Sequence, residues 1–313
     1  MNRLLKVLSL LLCIQRPAAA ISLVYNLKIR RSFALHDLLQ TDRKLLWLVS
    51  AVPVIYSRKR HVISPQTNNN FHDKSLLGGA LFNIRCLAPK DWWAELTTGV
   101  ERQTTKSCGT LNQKASRTGC DDIVLTGGKN FNFKKRGQAV LYGLCGFPTR
   151  IKVTPQERFD TLVGTRFFGA GFGGELSYNF LADGNRALTA IFQTRFVHFF
   201  SRNWFPILPC NAKIQPGNIT DLFLIMRYRE KRNFLEVGYN PTFFTQQAAL
   251  LATGKVPSPN FVRNSFYASA THLFKESYLL HRPGGIGVGC SIGRATIFDT
   301  KIASFWINFT LLF

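Results

Sequence analysis

Apolar and polar positions alternate along much of this chain, most clearly between residues 164 and 180. One set of alternate positions there carries Phe168, Ala170, Phe172, Gly174, Leu176, Tyr178 and Phe180. The other set carries Gly169, Gly171, Gly173, Glu175, Ser177 and Asn179. Because successive side chains of a β-strand point to opposite faces, this segment predicts a strand with one apolar face and one small, polar face.

Similar segments of roughly ten residues recur from about residue 78 to the last residue, and they number about ten to twelve. Tight turns join some of them, at 182–185 and 230–233, whereas 201–218 and 241–260 are long connections. The short turns carry Asp, Gly and Asn, which tolerate positive φ in hairpins. The pattern therefore predicts an all-β chain of consecutive antiparallel hairpins.

Alternation alone does not say whether the apolar face meets a protein core or a lipid bilayer. Three features favour the bilayer: a polar face rich in Gly, Ser and Asn, short turns that alternate with long loops, and aromatic residues near segment ends. Those aromatic residues are Phe167, Phe168, Tyr178, Phe180, Phe199, Phe200, Trp204, Tyr228 and Tyr239. The sequence predicts a transmembrane, up-and-down antiparallel β-barrel over residues 78–313.

Polar residues on the opposite positions are expected to face the lumen of such a barrel. They are Glu175, Asn179, Gln193, Arg195, Asp221, Arg227, Glu236, Asn240 and Ser291. Two interpretations stay open. Either the acids and arginines pair inside the barrel as structural plugs, or the arginines line an open pore that favours anions.

The last segment alternates as well, with Phe305, Ile307, Phe309, Leu311 and Phe313 on one face. Ser304, Asn308 and Thr310 lie on the other face, interrupted by Trp306 and Leu312. This segment resembles the terminal strand of bacterial outer-membrane β-barrel proteins, which typically ends in Phe. The resemblance implies location in the outer membrane, contact with the lipid bilayer, and recognition of this strand by the barrel-assembly machinery.

The first 77 residues are organised differently. Residues 1–20 combine Arg3 and Lys6, an apolar run and three alanines at 18–20, which predicts a secretory signal peptide. Residues 21–77 form an N-terminal segment of unclear structure, with a candidate first strand near 45–56.

The 313-residue chain is strongly basic, with 40 Lys and Arg against 17 Asp and Glu and a formal net charge of +23. The excess is spread along the chain, whereas a nucleic-acid-binding domain concentrates its charge on one face, so no nucleic-acid partner is expected. Cations at the rims of a barrel are suited to anionic lipid head groups. A soluble periplasmic β-barrel that binds an anionic lipid or ligand is one alternative, and a nucleic-acid-associated protein is another.

Site chemistry in the sequence is sparse. The seven cysteines contain no CxxC pair, and no HExxH pattern occurs. Gly289–Gly293 matches the letters GxSxG, but it lies on a small-residue strand face with no helix pattern after it, so it is not a nucleophile elbow. We therefore expect no metal site, no cofactor and no enzyme. Cys108 and Cys120 bracket a polar stretch and form a candidate disulfide in an oxidising compartment. The favoured hypothesis is a porin-like passive pore, or a structural or surface barrel, with a small polar lumen.

Overall fold

A computed structural model describes residues 46–63, 70–108, 113–133, 137–149, 165–183, 185–204, 212–245, 248–251, 254–257, 260–275, 282–296 and 299–313. The predicted signal peptide, residues 1–20, lies outside these residues. The described chain is almost entirely β-strand, with one 3-10 turn at Pro89–Asp91. None of its residues form a helix long and apolar enough to cross a membrane.

The described residues form seventeen strands, which follow one another in chain order. They are β1 (Leu46–Ile63), β2 (Asn70–Leu87), β3 (Trp92–Cys108), β4 (Gln113–Cys120), β5 (Ile123–Phe133), β6 (Gly137–Phe147), β7 (Gly169–Asp183), β8 (Arg186–Phe199), β9 (Arg202–Trp204), β10 (Ala212–Gln215), β11 (Asn218–Glu230), β12 (Asn233–Phe244), β13 (Ala248–Leu251), β14 (Gly254–Pro257), β15 (Phe261–Phe274), β16 (Gly284–Ala295) and β17 (Thr300–Leu312).

Thirteen of these strands form one antiparallel sheet that closes on itself, because β17 pairs with β1 and β2 pairs with β3. Two backbone hydrogen bonds fasten the closing strands, from Trp47 N to Phe313 O at 2.9 Å and from Phe313 N to Trp47 O at 2.8 Å. Strands β4 and β5 pair with successive parts of β3 and share one place in the wall. The result is a closed barrel of 12 strands, which confirms the predicted fold class and strand number.

The two ends of the barrel differ in the length of their connections. One end, here called the turn rim, carries residues 88–91, 134–136, 184–185, 231–232 and 275–283. The other end, the loop rim, carries residues 64–69, 109–112, 148–168, 200–217, 245–260 and 296–299. Strands β9, β10, β13 and β14 form a separate small sheet within two of the long connections.

The apolar half of each alternating strand faces outward. Large hydrophobic side chains on this outer face are exposed, among them Ile55, Leu141, Phe172, Leu224, Phe266, Ile292 and Phe305. The inner positions carry small, polar and charged residues together with further apolar ones. An apolar outer belt on a closed barrel is the arrangement that meets a lipid bilayer.

Two expectations drawn from the sequence require correction. The barrel begins at Leu46 rather than at residue 78, because β1 and β2 belong to its wall, and β1 includes the candidate strand near 45–56. The alternation of β1 is hidden because Val52, Val54 and Tyr56 are apolar although they point inward. In addition, Phe167 and Phe199 are buried inside and do not belong to a rim girdle.

Glycines on the inner face receive aromatic rings from the neighbouring strand. A Cβ added at Gly238 would lie 2.3 Å from the Tyr267 ring, and one added at Gly289 would lie 2.5 Å from the Trp306 ring. Both glycines lie directly opposite the aromatic residue in the strand register. Two further pairs repeat this arrangement, namely Gly128 with Trp93 and Gly173 with Tyr142. These glycines therefore provide space for aromatic packing rather than for water.

Replacing Gly289 by Ala tests this packing. The new methyl group has to displace the Trp306 ring, and overpacking of this kind costs about 1–3 kcal/mol. Samples of the refolded protein are heated to increasing temperatures before electrophoresis. We expect Gly289→Ala to lose its compact, fast-migrating form at a lower temperature than the parent chain. The control is Gly78→Ala, where an added Cβ meets nothing within 4 Å. Equal midpoints for the two variants would contradict the packing role of the glycine.

Candidate functional site in the barrel interior

The interior of the barrel concentrates the acidic residues of the chain. Eight carboxylic acids are buried among the described residues: Asp73, Glu95, Glu101, Asp121, Asp122, Glu175, Asp221 and Glu236. The buried cations are arginines, at positions 58, 60, 85, 166, 227 and 263, and no lysine of the described ranges is buried. Arginine suits this role because its planar guanidinium is weakly hydrated and binds carboxylates through several hydrogen bonds.

The predicted lumen-facing residues all lie on inner positions of their strands. Six are buried: Glu175, Asp221, Arg227, Glu236, Asn240 and Ser291. Three are half-buried: Asn179, Gln193 and Arg195. The structure therefore brings them together inside one wall, whereas their role in transport stays a prediction.

Asp221 is the centre of a hydrogen-bonded group inside the barrel. Arg195 donates to its Oδ2 atom from Nε at 2.9 Å and from Nη2 at 2.5 Å. The Thr242 hydroxyl donates to the Oδ1 atom at 2.7 Å, and Arg263 donates in turn to that hydroxyl at 3.4 Å. Because these residues lie on β8, β11, β12 and β15, the group ties four adjacent strands together.

A second ion pair lies on β11 and β12. Arg227 and Glu236 are directly opposite in the register, and their Nε and Oε1 atoms are 2.6 Å apart. The Arg227 guanidinium also lies 5.8 Å from the centre of the Phe234 ring. Both charges are buried, so neither is available to a passing solute in this conformation.

Two inner ion pairs were not anticipated from the sequence, Arg60 with Asp73 and Arg85 with Glu95. The Arg85–Glu95 distance is 2.6 Å, and the guanidinium lies 4.7 Å from the centre of the Trp93 ring. All of these residues belong to β1, β2 and β3. Period-two placement of Arg58 and Arg60 along 46–63 is the signal that would have pointed to them.

Apolar side chains form a third component of the interior, also not anticipated. The inner apolar cluster comprises Val52, Val54, Tyr56, Leu77, Leu81, Val124, Leu144, Phe167, Ile191, Val197, Phe199, Phe223, Ile225, Tyr267 and Trp306. None of these side chains is more than 8% exposed. These side chains are therefore packed against one another and make little contact with water.

Part of the inner wall is more accessible. Half-buried polar side chains occupy neighbouring inner positions of β6, β7 and β8: Gln138, Ser177, Asn179, Thr189, Gln193 and Arg195. Thr189 donates a hydrogen bond to Asn179 at 2.7 Å, and Gln193 donates to the Tyr142 hydroxyl at 3.3 Å. Water therefore reaches one side of the interior.

Comparisons with known proteins rest on structure alone. No protein-family description and no curated sequence match the chain. An outer-membrane channel from Pseudomonas putida F1 is similar in structure with a TM-score of 0.55 at 10% identity, over 84% of this chain and 95% of that one. The transport unit of the autotransporter AIDA-I from Escherichia coli gives 0.51 at 9% identity, over 96% and 98%.

The chain has the fold of a bacterial outer-membrane β-barrel. The resemblance inferred from its last strand is thereby confirmed at the level of architecture. In outer-membrane barrels the short turns face the periplasm and the long loops face outward. The turn rim and the loop rim of this barrel correspond to those two sides.

The last strand of the outer-membrane barrel has the sidedness expected from the sequence. Phe305, Ile307, Phe309, Leu311 and Phe313 occupy its outer positions. Trp306 and Leu312, which interrupt the polar positions, point inward and are buried. Recognition of this strand by the assembly machinery stays a prediction.

At the loop rim, the Asp122 carboxyl group bonds Thr165, which precedes β7. Asp122 lies in no strand and separates β4 from the membrane-spanning β5. The outward side chains of β4, Lys114, Ser116 and Thr118, are exposed and polar. The Asp122 Oδ2 atom accepts hydrogen bonds from Thr165 N at 2.8 Å and Thr165 Oγ1 at 2.5 Å. Burial, together with neighbouring Asp121, raises the pKa of Asp122 to about 7.

Cysteine pairing differs from the expectation. Cys120 is a free thiol on the outer face, and it lies opposite Val100 on β3. Cys108 is farther along the same strand by roughly 25 Å at about 3.3 Å per residue. The predicted Cys108–Cys120 disulfide is therefore wrong, since its Cα atoms would have to lie within about 7 Å. No three His, Cys, Asp or Glu residues of the described chain cluster as a metal site.

Removing the carboxylate of Asp221 should destabilise the barrel strongly. Asp221→Ala removes the carboxylate to which Arg195 and Thr242 donate, and breaking a buried pair costs about 3–5 kcal/mol. The matched control is Glu230→Ala, which breaks an exposed pair with Arg186 at 3.1 Å and costs at most about 1 kcal/mol. Denaturant unfolding of the refolded barrel, followed by tryptophan fluorescence, measures both. Similar losses would contradict the structural role of the inner pair.

The pKa of Asp122 predicts a pH dependence. A carboxyl whose folded pKa lies above its unfolded value of 3.8 binds its proton more tightly in the folded state. Stability from this group is therefore full at low pH and is lost as the pH rises to about 7. Asp122→Asn removes the titrating charge and keeps an acceptor for Thr165. We expect the loss of unfolding free energy between pH 5 and pH 8 to be smaller in the variant, and an unchanged loss would refute this.

Proposed function

We propose that the protein is a structural or surface barrel of the bacterial outer membrane whose interior is closed to free solutes at rest. The burial of the inner apolar cluster is the observation that carries this proposal. An apolar outer belt and a fully closed sheet suit residence in a bilayer. The predicted signal peptide and C-terminal strand support export and assembly at that membrane.

The inner ion pairs support the same proposal. Arg195–Asp221 and Arg227–Glu236 each join adjacent strands on the inner face. A pore that favours anions would need unpaired arginines, whereas these guanidinium groups are engaged by carboxylates. Buried ion pairs contribute little net stability, but a strand register that separated the two charges would be strongly destabilised. Their function in this proposal is to fix the strand register inside the barrel.

A narrow passive pore is the second candidate function. It is favoured by the half-buried polar side chains of β6, β7 and β8, where water reaches the inner wall. Conduction along this side would require the apolar layer to move or to thin. The two candidates therefore differ in one property, the continuity of water between the two rims.

Single-channel recording in planar bilayers distinguishes them. We expect the refolded full chain to give no steady conductance, because the apolar layer interrupts the path of hydrated ions. Phe223→Ala combined with Ile225→Ala removes two inner side chains and should produce conductance steps. The control combines Leu224→Ala with Met226→Ala, two exposed outer positions of the same strand, and should remain silent. Regular unitary steps from the unmodified chain would overturn the closed barrel in favour of a pore.

A further inference from the structure

A row of six basic side chains crosses half of the barrel wall near the loop rim. This cation row consists of Arg294 on β16, Lys301 on β17, Lys59 on β1, Lys74 on β2, Lys106 on β3 and Lys114 on β4. Each member lies directly opposite the next one in the strand register. All six are on the outer face and exposed.

Such a row is unfavourable for the protein by itself. Neighbouring strands are about 4.8 Å apart, and like charges directly opposite one another destabilise a sheet. Arg294 has a carboxylate partner in Asp299 at 2.7 Å. Among the described residues, no ion pair joins a carboxylate to the five lysines, because the acids are buried, lie at the turn rim, or lie beside Arg294. Anions from outside the chain would therefore stabilise the row by reducing this repulsion.

The height of the row fits a membrane surface. Two residues from the cation row toward the turn rim, several strands carry small or polar outer side chains, such as Ser57 and Thr104. Two positions further toward the turn rim, β1 and β17 carry exposed apolar side chains, Ile55 and Phe305, whereas Arg102 occupies the same level on β3. Four residues of strand span about 13 Å, so Lys59 and Lys301 stand beyond the apolar side chains of their own strands. A lipid whose chains contact Ile55 and Phe305 would hold its head group beside these two lysines.

The other half of the loop rim has a different character. Exposed Phe147, Phe168, Phe200 and Phe243 lie at or beside the ends of β6, β7, β8 and β12. Near the loop rim, one half of the outer surface therefore carries positive charge and the other half carries aromatic rings. The basic half is the one whose connections, 64–69, 109–112 and 296–299, contain at most six residues each.

We propose that the cation row binds the phosphate groups of anionic lipids in the outer leaflet, with the lipid chains lying against the apolar belt below. This inference rests on the proposed membrane location and is independent of whether the interior conducts. A free phosphate ion shares the charge but has no chains to contact Ile55 and Phe305. Lipid is therefore the ligand, and inorganic phosphate is the comparison.

Lipid retention by the refolded full chain tests the proposal. Protein in micelles doped with phosphatidylglycerol or phosphatidylcholine is analysed by native mass spectrometry. The row variant carries Lys59→Gln, Lys74→Gln, Lys106→Gln and Lys114→Gln. The matched control carries Lys90→Gln, Lys231→Gln, Arg232→Gln and Lys275→Gln, four exposed cations of the turn rim. Gel mobility before and after heating shows that each variant is folded.

We expect the parent and the control to retain phosphatidylglycerol in preference to phosphatidylcholine. Retention of phosphatidylglycerol should fall at least about tenfold in the row variant, because each lysine near an anionic surface raises the affinity about fivefold. A variant with arginine at the same four positions should retain the lipid. Equal retention by the row variant and the control would overturn the proposal, as would retention of inorganic phosphate in place of lipid.

Thermal stability gives a second readout that does not depend on mass spectrometry. Without anionic lipid, the row variant should melt at a higher temperature than the parent, because repulsion within the row is relieved. With phosphatidylglycerol, the parent should gain more than the row variant. If the parent and the row variant differ in melting temperature by the same amount with and without phosphatidylglycerol, lipid binding at the row is refuted. Failure of the chain to fold as a heat-modifiable barrel would instead contradict the proposed membrane location.

Discussion

The hydrogen bonding of the backbone determines this architecture. A bilayer offers no partners to exposed N–H and C=O groups, so a sheet that crosses it has to close. The pairing of β1 with β17 completes that closure, and the bonds between Trp47 and Phe313 fasten the two strands at the turn rim. Once the wall is closed, every strand has one face toward lipid and one toward the interior. Side-chain identity at alternate positions then follows from that geometry.

Closure also explains how the charges are distributed. The formal net charge of +23 is not an even coating, because buried acids pair with arginines inside and the described lysines remain outside. Pairing leaves the outer surface with an excess of cations, concentrated in part on the row from β16 to β4. A long lysine keeps its charge hydrated at a membrane surface, whereas a buried charge needs the several hydrogen bonds that arginine supplies.

Glycine has a different function in this barrel from the one its abundance suggests. Inner glycines at 128, 173, 238 and 289 each lie opposite an aromatic residue whose ring packs over them. Small residues on an inner face therefore do not by themselves indicate a wide lumen. Their ring partners and the aliphatic residues of the inner apolar cluster occupy interior space that the glycines by themselves would leave open. The same composition without those opposing rings would leave space for a channel.

The sequence by itself determined the strands after residue 78, their inward and outward faces, and the outward placement of Phe305 and Phe313. These properties depend on a two-residue period, which is local. Only the tertiary structure decided that β1 and β2 belong to the wall, that Arg195 pairs with Asp221, and that Cys108 lies far from Cys120. The cation row is the clearest case, since Lys59 and Lys301 are distant in the chain and adjacent in the sheet. Register and closure are nonlocal, so no period within one strand encodes which residues they bring together.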